Sequence, residues 1–250
     1  MSITFKNVTK NHLPGETVLS VPRLELADGA LTAVVGPSGC GKSTLLRLIG
    51  SLSAPTEGAV RIGNRAPAES RGEMGAVFQD ATLLPWLNVR KNIELALRLR
   101  RAPRNERHEA AEAQARLVGL EDVLDRYPNQ LSGGMRMRVS LARALAANPR
   151  ILLLDEPFGA LDAMTRDRLN EELSDLQARG GWTAVFVTHS VTEAVFLADR
   201  VLVFSTGPGR IVADVAVELP KPRRGELRET GDYQRLVAEL SAILRSRCWM

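Results

Sequence analysis

Short aliphatic and β-branched runs alternate along this chain with longer segments whose apolar residues recur at helical spacing. Residues 30–35, Ala-Leu-Thr-Ala-Val-Val, read as a buried strand closed by the Gly36-Pro37 turn. Beyond it Leu45, Leu46, Ile49 and Leu52 fall at helical intervals. Residues 151–154 are continuously apolar, as expected of a central parallel strand covered on both faces. Residues 183–187 and 201–204 read the same way, and Val191, Ala194, Val195 and Ala198 mark one helix face between them. Strand, helix, strand in this order predicts an α/β fold with a mainly parallel sheet and helical crossovers. Residues 3–8 and 59–62 look instead like an antiparallel β edge layer.

The middle of the chain, roughly residues 80–149, is charged, helical and strand-free, and residues 104–117 are rich in Ala, Glu and Arg. It reads as an α-helical subdomain inserted into a core that runs over residues 3–230. From residue 231 to 250 the pattern is amphipathic, with Tyr233, Leu236, Val237, Leu240, Ile243 and Leu244 on one face. That predicts a C-terminal helix docked on the core, with Asp232 placed to cap it.

Composition narrows the class. With 250 residues and 44% hydrophobic content, the chain buries a sizeable core without a disulfide or metal staple. Cys40 and Cys248 lie far apart, which suits a reducing compartment. No basic-then-apolar leader opens the sequence, and no apolar run approaches the ~18 residues of a membrane span. These features predict a soluble, intracellular protein. The net charge of +4 is mild and spread along the chain, giving no basic stripe for nucleic acid. The one local excess, Lys221 with Arg223 and Arg224 around Pro222, reads as solvated surface.

The chemistry begins at Gly36-Pro37-Ser38-Gly39-Cys40-Gly41-Lys42-Ser43-Thr44, a G-x-x-x-x-G-K-[ST] loop between a predicted strand and a predicted helix. Its glycines let backbone N–H groups turn inward around phosphate oxygens, and the following helix adds its positive end. Lys42 then lies on the β- and γ-phosphates, and Ser43 offers its hydroxyl to Mg²⁺. Cys40 contributes only its N–H, although the helix end should favour a reactive thiolate. The apolar run at residues 151–154 ends in Asp155-Glu156-Pro157. An acid at the carboxyl end of a central strand sits beside such a loop. Asp155 is the candidate Mg²⁺ ligand, and Glu156 is left to orient and deprotonate the attacking water.

Leu131-Ser132-Gly133-Gly134-Met135, ahead of that acidic pair, resembles the signature of ATP-binding-cassette (ABC) proteins, usually Leu-Ser-Gly-Gly-Gln. Gln79 resembles the family's Q-loop glutamine, residues 159–162 with Asp162 its D-loop, and His189 its switch histidine. The resemblance covers nearly the whole chain and implies a P-loop NTPase core that binds ATP with Mg²⁺. It further implies that Gln79 reaches the metal and that His189 contacts the γ-phosphate. Ser132, placed to cap a helix, would with Gly133 and Gly134 make a second phosphate site that closes on a partner's nucleotide. The implied assembly is a head-to-tail homodimer, or a pair with a homologous cassette.

Two positions depart from the family pattern. Met135 stands where Gln is usual, removing the reciprocal half of a capping box at a cost of up to ~1 kcal/mol. His12 stands where an aromatic ring usually stacks on adenine.

With no long coiled coil and a single cassette, the chain is similar to a stand-alone transporter subunit rather than to DNA-repair or translation relatives. It runs about 60 residues past His189, too few for the regulatory domain of sugar-importer cassettes. Residues 78–86, 131–145, 158–162 and 207–211 resemble the nitrate, sulfonate and taurine importer subfamily, wording that pyrimidine-precursor importers share. The implied partners are membrane permease subunits and, indirectly, an extracytoplasmic solute-binding protein, with the chain peripheral on the cytoplasmic face of the inner membrane. An exporter or non-transport ABC ATPase is the alternative.

Overall fold

A computed structural model describes residues 1–13, 15–159 and 161–247. Strand β1 (Ile3–Asn11) pairs antiparallel with β2 (Thr17–Leu26). Then come β3 (Leu31–Val35), α1 (Lys42–Ile49), β4 (Glu57–Ile62) and β5 (Met74–Val77). Three helices follow: α2 (Val89–Leu99), α3 (Arg104–Leu117) and α4 (Gly133–Ala146). The chain closes with β6 (Ile151–Asp155), α5 (Ala163–Gly180), β7 (Thr183–Val187), α6 (Val191–Leu197), β8 (Arg200–Phe204), β9 (Ile211–Ala216) and α7 (Gly231–Arg247).

These strands form two sheets, ordered β2-β1-β4 and β5-β6-β7-β3-β8-β9. The small sheet is antiparallel, and the large one is parallel except for β9. This is the P-loop NTPase arrangement with an antiparallel edge layer.

The continuously apolar strands have a direct physical cause. Leu31, Ala33, Val35, Leu152, Leu154, Ala184, Phe186, Val201 and Val203 point into one core. Their neighbours Val34, Ile151, Leu153, Val185, Val187, Leu202 and Phe204 point into a second core on the opposite face. Side chains alternate across a strand, so a strand buried on both faces is apolar at nearly every position, Thr32 and Thr183 being buried exceptions. The antiparallel sheet and α1 cover one face, and α4 to α7 lie among the layers over the other. Helices α2, α3 and α4, which fall between β5 and β6 in the sequence, pack on one another. No helix among the described residues is long and apolar enough to cross a membrane.

Several expectations need correction. Leu52 lies beyond α1 and is 62% exposed. Asp232 does not cap α7: it pairs with Arg235 on the first turn, and the Tyr233 N–H reaches the Thr230 hydroxyl at 3.4 Å. The basic cluster is solvated surface only in part: Arg224 is exposed, but Arg223 is not. Arg223 is 1% exposed and donates to the carbonyls of Val195, Phe196, Ala198, Val217 and Leu219. Lys221 pairs with Asp199 at 2.6 Å and Arg224 with Asp175 at 2.8 Å. Strand β2 was hidden because Pro22 and Arg23 are both exposed, so the buried positions Leu19, Val21, Leu24 and Leu26 change phase in mid-strand.

Candidate nucleotide site

Four adjacent strands deliver the candidate residues to one edge. Registers pair Val34 with Val187, Val187 with Asp155, and Leu154 with Val77, so β3, β7, β6 and β5 end level. Their carboxyl ends lead into the glycine-rich loop, Thr188-His189, Asp155-Glu156 and Phe78-Gln79 respectively. The crevice outside the carboxyl ends of such a sheet is where α/β proteins bind ligands.

The loop's shape requires its glycines. Gly41 has φ 92°, and a Cβ there would lie 2.9 Å from the Val18 carbonyl oxygen. A Cβ on Gly36 would come within 2.7 Å of the Phe204 carbonyl oxygen. Helix α1 starts at Lys42, so the N–H groups of Lys42, Ser43 and Thr44 belong to a first turn without intrahelical acceptors. The buried Lys42 ammonium donates to the carbonyls of Gly36 (2.8 Å) and Pro37 (2.7 Å), beneath the loop. Its charge is therefore placed where phosphate oxygens would gather.

Ser43 donates through its hydroxyl to Asp155 Oδ1 at 3.1 Å. Asp155 is 7% exposed, and burial pushes its carboxyl above the usual range against the pull of the Ser43 bond. The neighbouring Glu156 charge pushes it the same way as burial. A buried carboxylate beside a hydroxyl is an oxygen donor set suited to a hard divalent cation, which would relieve that cost. Mg²⁺ fits these residues.

Glu156 has φ 48°, a left-handed conformation uncommon outside glycine. Its N–H donates to the Val187 carbonyl at 2.9 Å and its own carbonyl accepts from Gly159 at 3.2 Å, which pins the strained turn. Strain held in this way clusters at functional sites. The turn carries Glu156 Oε2 to 3.4 Å from His189 Nδ1. His12, Ser38, Gly39, Gly41, Lys42, Ser43, Thr44, Gln79 and Glu156 line one hollow of about 310 Å³.

The signature residues lie elsewhere. Ser132 caps α4, accepting from the Met135 N–H at 3.2 Å. This half of the cap survives the Gln-to-Met departure. Asp162 caps α5, accepting from the Thr165 N–H at 2.9 Å, a bond that holds its carboxyl below the usual range. Ser132, Gly133, Gly134 and Asp162 line a second hollow of about 300 Å³, so two helix N-termini open onto it. Among the described residues, none lines both hollows.

One expectation about Cys40 is overturned. Cys40 is 1% exposed, and burial pushes the pKa of its thiol up in spite of the adjacent Lys42 charge. Maleimide labelling of Cys40 at pH 7 will therefore run about tenfold or more slower than that of a free thiol, and accelerate as pH rises. Mass spectrometry on a Cys248→Ser background checks this; Cys248 itself lies outside the described residues. Rapid labelling at pH 7, blocked by Mg-ATP, would restore the reactive-thiolate expectation.

Sequence reasoning passed over Arg143 and Glu193. Arg143 reaches from α4 to the carbonyls of Ala81 (3.0 Å) and Thr82 (2.9 Å), tying the signature helix to the segment after Gln79. Nothing local in the sequence announces that contact. Glu193 had a signal, the S-x-x-E pattern beginning at Ser190.

Comparison with known proteins agrees with this geometry. Residues 19–159 match the family model described as ABC transporter. A Brucella abortus (strain 2308) protein, named only for ATP binding, is 42% identical over 247 residues, 99% of this chain and 92% of its own. Nitrate import ATP-binding protein NrtD of Synechocystis sp. is 40% identical over 230 residues, 90% of this chain and 86% of that protein. The bacterial ABC transporter cassette MJ0796, solved as a dimer, is similar with a TM-score of 0.81 at 35% identity. That likeness covers 87% of this chain and 100% of the other. A second dimeric structure of MJ0796 captures a post-hydrolysis state bound to ADP and Pi. The chain belongs to the ABC transporter family, as one of its ATP-hydrolysing cassettes.

Proposed function

We propose that this cassette is the ATP-hydrolysing subunit of an importer, sitting peripherally on the cytoplasmic face of the inner membrane against separate permease subunits. Its solute is a small molecule of the nitrate, sulfonate or taurine kind, or a pyrimidine precursor, delivered by an extracytoplasmic solute-binding protein. The resemblance to NrtD supports the importer class.

The observation that carries the assembly is the separation of the two hollows, each lined by part of a phosphate clamp. Two copies facing head to tail, or this chain and a homologous cassette, would bring the signature of each onto the nucleotide held by the other. In this assembly the loop from Gly36 to Thr44 cradles the phosphates, with Lys42 on the β- and γ-groups and His12 against the adenine. Ser43, Asp155 and Gln79 hold Mg²⁺, which when bound offsets phosphate charge. Glu156 takes a proton from the attacking water as it adds to the γ-phosphorus and ADP leaves. His189 steadies the γ-phosphate, Ser132, Gly133 and Gly134 meet it from the partner, and Asp162 lies across the interface. Residues 80–149, inserted within a cassette spanning 3–230, turn the signature toward that partner, and the helix from 231 docks behind.

Trp86 supports a docking role for the segment after Gln79. It is 70% exposed beside Pro85, while Leu83 packs on the core. A large aromatic left in water seven residues after Gln79 suits a groove that receives a permease helix. Trp86→Ala is expected to leave folding and ATP binding intact while weakening permease contact about 30-fold and uncoupling hydrolysis from uptake. Transport assays in reconstituted vesicles, alongside thermal melts of the isolated subunit, test this. Unchanged uptake would place the contact elsewhere, and an early melt would make Trp86 a structural residue.

A further inference from the structure

Glu193 is a buried carboxylate whose partners come from outside its own helix. It stands at the third position of α6, after the N-cap Ser190, where a capping-box glutamate ordinarily returns to the N-cap N–H. Here that N–H donates instead to the Thr188 hydroxyl at 3.0 Å. The same hydroxyl donates to Glu193 Oε2 at 2.6 Å. Thr188 is thus interposed in the box, and it is the residue immediately before His189.

The second carboxylate oxygen, Oε1, lies 3.5 Å from Nε of Arg166 on α5, an ion pair without a hydrogen bond. A terminal nitrogen of Arg166 donates to the Leu161 carbonyl at 2.9 Å, and its backbone N–H donates to the Asp162 carbonyl at 2.9 Å. Leu161 and Asp162 line the hollow that holds the signature residues. Hydrogen bonds through Thr188, one ion pair from Glu193 to Arg166, and the Arg166 bond to Leu161 therefore link the segment before His189 to the edge of the second hollow. Glu193 is 6% exposed. A carboxylate there is costly unless paired, and capping α6 does not require it, because Ser190 Oγ already accepts the Glu193 N–H at 3.2 Å.

We infer that Glu193 is a positioning residue that locks the His189 loop to Leu161 and Asp162, so the γ-phosphate contact and the subunit-facing hollow move as one piece. This rests on the reading of His189 above. Burial pushes the Glu193 carboxyl up, while the Thr188 hydroxyl and the charges of Arg166, His189 and Arg228 draw it down. Glu193 touches no substrate; it acts through Thr188 and Arg166.

A double-mutant cycle on the full chain tests this, using Glu193→Gln, Arg166→Gln and the pair. ATP hydrolysis, binding of a fluorescent ATP analogue and melting temperature are measured for each. Each single variant is expected to lower kcat about 10- to 100-fold, as misplacement of a catalytic contact does. KM and analogue affinity should stay within about twofold. The pair should lose little more than either single variant. Arg166 is partly exposed, so its variant remains informative if Glu193→Gln folds poorly. Wild-type kcat in either single variant, independent losses that multiply in the pair, or kcat falling together with analogue affinity and melting temperature would each overturn the inference. His189→Ala separates the two levels: unchanged turnover there defeats the reading of His189. Lost turnover there, with wild-type kcat in Glu193→Gln, defeats the Glu193 link alone.

Discussion

Replacing Glu156 with Gln lowers ATP turnover by about 10²–10⁴-fold while ATP binding persists, the usual worth of a general base. The substitution preserves side-chain size at a position of φ 48° and exchanges the carboxylate for a neutral amide that cannot accept a proton at neutral pH. Asp155 is poorly placed to substitute, because its carboxylate accepts from Ser43 and lies almost wholly out of solvent. Glu156 instead faces the hollow that the phosphate loop lines, with His189 Nδ1 at 3.4 Å on its other side. Steady-state phosphate release, paired with a nucleotide-binding titration, measures both halves of the expectation. Near-normal release by the variant would remove Glu156 from the chemistry.

Arg223→Ala is expected to destabilise the fold by about 3–5 kcal/mol, with little direct effect on nucleotide contacts. Three of its five carbonyl acceptors, on Val195, Phe196 and Ala198, belong to the end of α6, where backbone acceptors have no helical donor. Burial draws the guanidinium pKa down to about 10, so it remains charged at neutral pH, with Asp199 favouring the charge. Truncation strands those carbonyls together with the Val217 and Leu219 acceptors that tie the following segment down. Arg223→Lys rescues only part of the loss, since one ammonium cannot span five acceptors. Urea denaturation gives the answer, and a loss below about 1 kcal/mol would show that water replaces the guanidinium without penalty.

What was legible from the chain follows a physical division. A phosphate loop must use glycine where backbone folds back on backbone, as at Gly41 against Val18, so its spelling is nearly fixed. Strands covered on both faces are apolar at nearly every position, and Ser132 announces a helix start by its side chain. The hidden features depend on distant partners. Arg223 looks like any surface arginine until the end of α6 is set beside it. Cys40 was read from the helix end alone, but its burial outweighs that field. Strand β9 was missed because its burial is only partial at the sheet edge, leaving no alternation to read. The Glu193 pattern was visible, yet its meaning turned on a threonine two residues before the cap.

The central claim is that one chain holds two half-sites which meet only between subunits. Glu156→Gln, sized by light scattering with and without Mg-ATP, tests it most directly. A monomer without nucleotide and a dimer with it are expected. Adding Ser132→Arg, which costs α4 only about 1 kcal/mol of cap, should return the ATP-bound protein to monomer. A Glu156→Gln protein that binds ATP and stays monomeric, or a dimer indifferent to Ser132→Arg, would contradict the account.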